Sequence, residues 1–303
     1  MSKFTPLEYA SFIAHSLSLI FLCVALSIDL LQNRNVALKA RPAQLLFLAL
    51  LSLIPFHITG IANGYISAIS MEQQDSILDW KKKILIPIII YKVSAVVGSS
   101  FLLGTFSYTW TSVNVLLPNR KIARVVTTYS NLIVPVIFFF ISMFFLALVG
   151  LAITLIQQPL RFYFMALLVT AIFQSLIALL LIPIIYDVTT ALCSFIKLTV
   201  SKKGSLINNA TFTLFRFIIV AIILFSFMLL SGYLNYKESD ISYIILPSPS
   251  PNRYDQRNTT PFTQISHVLF GFGGSFASLL ILGKFIDLKS KEAAVTALKT
   301  NIK

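Results

Sequence analysis

Seven long apolar blocks divide the chain, at residues 9–31, 44–70, 84–110, 126–156, 163–186, 211–236 and 265–286. Each is long enough to cross a hydrocarbon core of ~30 Å at ~1.5 Å of rise per residue. A backbone inside lipid must satisfy its own hydrogen bonds, which leaves α-helices or a closed β-barrel. Barrel strands alternate apolar and polar residues over about 10 positions. Residues 134–149 show no such alternation. The blocks therefore predict an all-α, polytopic membrane protein, a single seven-helix transmembrane domain over residues 1–303. Charged residues make up 12% of the chain, against about a quarter in a soluble domain. The first block is longer than a signal-peptide core and reads as a helix of the mature protein.

Charge sets the expected orientation. With the N-terminus outside, the inner segments hold fifteen bases and four acids, and the outer segments eight bases and seven acids. Lys92 lies inside the third block and belongs to neither set. The positive-inside rule counts bases, so the expected topology is N-terminus out, C-terminus in the cytosol. The formal charge of +13 then marks an inner face suited to anionic lipid rather than a nucleic-acid surface. Docking of a cytosolic protein partner is the sharper alternative use of those basic loops. The chain reads as an integral, multi-pass membrane protein, with plasma membrane and endomembrane equally open.

The connections agree with that frame. Arg41-Pro42 suits the start of the second helix, and Pro118-Asn119 marks a turn. After Pro183 the run 184–200 stays mostly apolar but carries Asp187, Cys193 and Lys197. It reads as a helix bending at Pro183 and running past the bilayer, or as an interfacial segment. Pro55 and Pro135 are expected to kink the second and fourth helices. The segment 157–162 reads as a tight turn, and the loop 237–264 is the longest connection on the outer side. Asn258-Thr259-Thr260 is a glycosylation sequon on that side, and Asn209-Ala210-Thr211 a second one on the inner side. The two cysteines, Cys23 and Cys193, read as small buried hydrophobes.

Polar groups at membrane depth are costly, so each needs a reason to be there. His15, His57, Asn63, Lys92 and Gln174 lie within the blocks, and His267 opens the last one. These six are the candidate ligand-binding residues, expected to converge on one outward-facing cavity. Lys92 has no acid at comparable depth. It either snorkels towards the outer interface, finds a carbonyl, or anchors an anionic ligand or lipid headgroup. At the inner ends Asp29, Asp187, Arg216, Lys284 and Asp287 form a candidate set of ion pairs, with Asp187–Arg216 and Asp29–Lys284 as the expected partners. The three histidines show no metal-site spacing. The run Gly271-Phe272-Gly273-Gly274 lacks the strand a nucleotide loop needs. No catalytic residue, metal or cofactor is expected.

Small residues at spacing four mark close helix contacts: Ser94 with Gly98, Ser100 with Gly104, Gly271 with Ser275, and Gly274 with Ser278. The topology is similar to that of G-protein-coupled receptors, whose motifs are absent. No Asp-Arg-Tyr ends the third block, which continues Ser112-Val113-Asn114, and no proline lies between Ile265 and Lys303. The sequence is therefore assigned to no family. Function reads first as a heptahelical receptor or sensor binding a small or lipid-like ligand. A transporter or lipid translocator and an intramembrane enzyme acting on a lipid-like substrate are the alternatives, and a non-enzyme is favoured.

Overall fold

A computed structural model describes residues 6–32, 41–72, 77–114, 125, 128–155, 158–201 and 205–239. Among the described residues are six long α-helices: α1 Pro6–Gln32, α2 Arg41–Glu72, α3 Ile77–Asn114, α4 Ile133–Thr154, α5 Pro159–Ser201 and α6 Ser205–Glu238. A 3-10 turn, Ser130–Leu132, leads into α4. All six helices are long and apolar enough to cross a membrane. The expected seventh block, 265–286, lies outside the described residues.

The hydroxyl groups show how a polar side chain is tolerated on such helices. Ser52, Ser99, Ser100, Thr105 and Thr170 each donate to the carbonyl four residues earlier. No partner outside the helix is needed for them, as lipid requires. The prolines also find tolerated places. Pro159 opens α5, where an amide proton would have no acceptor. Pro135 falls in the first turn of α4 for the same reason, so the kink expected there is unnecessary. Pro55, Pro87 and Pro183 lie inside α2, α3 and α5 without ending them. α5 continues through Pro183 to Ser201, so no separate interfacial segment follows it. Its 43 residues reach well past the hydrocarbon core at ~1.5 Å per residue.

The helices alternate in direction along the chain: α2 and α3 are antiparallel, since Tyr91 meets Phe56 while Gly104 faces Leu45. One end of the bundle therefore carries the starts of α1, α3 and α5 and the ends of α2, α4 and α6. α2 packs along α3 and α5 along α6, while α3 also meets α4 and α5. Gly98 brings α3 against α2, where a β-carbon would sit 3.3 Å from the Leu53 side chain and 3.5 Å from the Ala49 carbonyl. Gly104 makes room for Ile137 of α4. Gly232 does the same between α6 and α5, facing Ser175 and the Ala171 carbonyl. The first two were expected from the small-residue spacing; Gly232 was not.

The molecule is apolar outside and partly polar inside. Ile86 and Ile153 are 70% and 71% exposed, whereas His57, Gln174 and Asn235 are 0% exposed. α4 buries one stripe, Ile137, Ile141, Phe144 and Leu148. Its remaining faces show Phe138, Phe139, Phe145, Leu146 and Val149 to the surroundings. In water such a surface would drive association; against acyl chains it costs nothing. The chain is thus a helical integral membrane bundle. Cys23 and Cys193, expected to be buried, are exposed free thiols on that outer surface. With lipid as the solvent, a small apolar side chain gains little from turning inward.

Candidate functional site

α1 and α2 meet through two histidines. Nδ1 of His15 lies 3.0 Å from Nδ1 of His57, and both rings are buried. Gly60 makes this possible. A β-carbon there would fall 2.6–2.8 Å from three atoms of the His15 ring, so only glycine leaves space for the imidazole. The two facing nitrogens need one proton between them, one ring donating and the other accepting. Phe56 stacks on Tyr91 of α3 at 4.2 Å. His15 lies tilted or edge-on to both rings, with centroids 5.6 Å from Phe56 and 5.9 Å from Tyr91. Nε2 of His57 is enclosed and has no hydrogen-bond partner among the described residues.

Beside Tyr91 lies a second polar group. Nζ of Lys92 sits 5.6 Å from the Tyr91 ring centre and donates to Oδ1 of Asn235 on α6. Nδ2 of Asn235 in turn donates to Oε1 of Gln174 on α5, at 2.7 Å. Side-chain amides are usually ambiguous in direction, but here Lys92 fixes it. An ammonium only donates, so Asn235 must present its oxygen to Lys92 and its NH2 to Gln174. Gln174 then accepts through its oxygen, and its own NH2 ends the chain, enclosed and without a partner among the described residues. Gly232, three residues before Asn235, lets α6 approach α5 closely enough for this contact.

Four of the six sequence-predicted ligand residues thus fall into two hydrogen-bonded groups near Tyr91: His15 with His57, and Lys92 with Gln174 through Asn235. Lys92 does not snorkel; it is buried and turned towards a carbonyl oxygen on a neighbouring helix. Asn63 joins neither group, and its Oδ1 has no partner among the described residues. His267 lies outside the described residues. So do Lys284, Asp287 and the sequon residue Asn258, as do the side chains of Asp29 and Arg216, so the expected inner pairs are not seen. Asp187 is buried on α5, about 20 Å along the helix from Gln174.

Asn235 was missed from sequence, although it is the one amide side chain in residues 211–236. It stands one residue before the end of that block, where a polar side chain is ordinary. Phe56, Tyr91 and Gly60 gave no signal, because aromatic residues and glycine are ordinary in membrane helices.

Chemically, the two groups are rich in donors. They contain an ammonium, two amide NH2 groups and the imidazoles. Such a set suits recognition of an acceptor-bearing group. Among the described residues, no three His, Cys, Asp or Glu side chains come together to hold a metal. No protein-family model matches the chain, and no curated protein matches it.

Proposed function

We propose that the chain is a heptahelical, receptor- or sensor-like membrane protein, one domain over residues 1–303, with its N-terminus outside and its C-terminus in the cytosol. In that orientation the polar groups lie in the outer half of the bundle, where a small or lipid-like ligand arrives. The observation that carries this reading is the clasp from Lys92 through Asn235 to Gln174, which ties α3, α6 and α5 together inside an apolar span. A ligand that takes over one of those hydrogen bonds changes how the three helices sit against one another, including at their far ends. The basic inner loops would then meet anionic lipid or a cytosolic protein.

Less supports the alternatives. The carboxylate at hand for an intramembrane enzyme, buried Asp187, lies about 20 Å along α5 from Gln174. A lipid translocator needs polar side chains along the whole path. The two hydrogen-bonded groups occupy one half only.

The test uses a native thiol. Cys193 is exposed on α5, about 28 Å along the helix from Gln174. An environment-sensitive fluorophore on Cys193, in a Cys23→Ser background, reports the far end of α5. Opening the clasp by Asn235→Leu should shift its emission, and Lys92→Met should shift it in the same direction. Unchanged emission in both folded variants would refute the receptor reading.

A further inference from the structure

We infer that Nε2 of His57 is the hydrogen-bonding point for the hydroxyl group of a neutral, otherwise apolar molecule, a long-chain alcohol or a sterol. This rests on the histidine pair being part of a ligand site, and it adds the chemistry of the ligand. The facing Nδ1 atoms of His15 and His57, 3.0 Å apart, hold one proton between them. If His57 accepts there, its neutral ring carries its own proton on Nε2, which is then a donor. If His57 donates there, Nε2 of the neutral ring is a bare acceptor. That atom is enclosed on a fully buried side chain and has no hydrogen-bond partner among the described residues. Leaving it unmatched is costly in either role. A hydroxyl both donates and accepts, so it completes His57 in either tautomer. A carbonyl or an ether serves only the donor, and an ammonium only the acceptor. No charge is called for.

The surroundings select the rest of the molecule. Phe56 lies edge-on to the His57 ring at 5.0 Å and stacks on Tyr91. A buried water needs about two to four polar partners. A hydroxyl carried on hydrocarbon needs fewer and lays its apolar part against the rings. Space for that part lies beside the pair. Gly60 and Gly64 follow His57 along nearly the same face of α2, one turn apart. The His15 ring fills the place at Gly60, whereas a β-carbon at Gly64 meets nothing within 4 Å. The hydroxyl reaches Nε2 from that open side when the His15 ring turns away from Gly60.

The test measures thermal unfolding of the purified full-length protein in detergent with three probes: oleyl alcohol, cholesterol and octadecene. At least one of the two alcohols should raise the melting temperature saturably, and octadecene should not. A response to oleyl alcohol alone assigns the site to a chain alcohol, and a response to cholesterol alone to a sterol; a response to both assigns it to the hydroxyl whatever carries it. Two substitutions separate the hydroxyl contact from packing. His57→Asn keeps a polar atom near the position of Nδ1, facing His15, and has nothing at the position of Nε2. It should weaken binding of the responding alcohol by roughly tenfold or more. His57→Gln reaches the position of Nε2 and should bind that alcohol more tightly than His57→Asn. The double variant His15→Phe with His57→Phe replaces the whole pair by apolar rings, so it should stay folded and respond to neither alcohol. No response of the parent to either alcohol, an equal response to octadecene, or full alcohol binding by His57→Asn or the double variant would overturn the inference. The label on Cys193 separates this from the receptor reading. Alcohol binding with an unmoved label rejects the receptor and keeps the hydroxyl site; a label that moves in Asn235→Leu without any alcohol binding does the reverse.

Discussion

At the scale of single residues, the energetic weight falls on buried donors. Lys92→Met removes a charge and leaves Oδ1 of Asn235 without its donor, which should cost about 1–3 kcal/mol. Asn235→Leu should cost more. It leaves a buried ammonium without its amide acceptor and also strips Oε1 of Gln174 of its donor. Denaturation in mixed micelles would give the order, and a smaller loss for Asn235→Leu would contradict the geometry. His15, His57, Lys92 and Gln174 stood out in the sequence because each is a polar side chain in an apolar run. Their partners did not. A hydrogen bond across 42, 61 or 143 positions of chain leaves no trace in local spacing. For Lys92 the sequence left snorkelling, a carbonyl partner and an anionic ligand open, because no acid lies at its depth. The structure brings it to an amide oxygen on α6.

At the scale of the helices, glycine decides which pairs come close. Gly60→Ala drives a methyl group into the His15 ring and should cost about 1–3 kcal/mol, as overpacking does. Gly64 and Gly150 provide the control, since a β-carbon at either meets nothing within 4 Å. Alanine there should be neutral or stabilise by up to about 1 kcal/mol through helix propensity. Thermal melts of the three variants would separate a packing role from a general dislike of substitution. Gly104→Ala meets the end of the Ile137 side chain. Ile137→Val, which deletes that terminal methyl group, should recover most of the loss, and a double-mutant cycle measures the recovery. The first six blocks were legible to within a few residues at most ends because the membrane imposes length and apolarity on each helix separately. The exceptions have local causes. α4 begins later than its block because the 3-10 turn and Pro135 set its start. α5 runs far beyond its block because Pro183 does not interrupt it.

At the scale of the whole molecule, the expected topology has a direct test. Expression in a glycosylating host should give one glycan, lost in Asn258→Gln and unaffected by Asn209→Gln, as read by mobility after deglycosylation. Modification at Asn209 would place the basic loops outside. The exposed thiol of Cys23 sits on the apolar surface and should react with a lipid-soluble maleimide while resisting a charged, water-soluble one. What the sequence determined by itself is the solvent of this protein, its helical class and the set of polar side chains that lipid makes expensive. Those follow from properties each segment carries alone: hydrophobic length, backbone hydrogen bonding and charge at its ends. Only the tertiary structure decided that His15 meets His57 over Gly60, and that Lys92 reaches Gln174 through Asn235. It also decided that both cysteines face outward. Those outcomes depend on how the helices are rotated and how closely they approach. Side-chain volumes contributed by two or three segments at once set both, and no single segment records them.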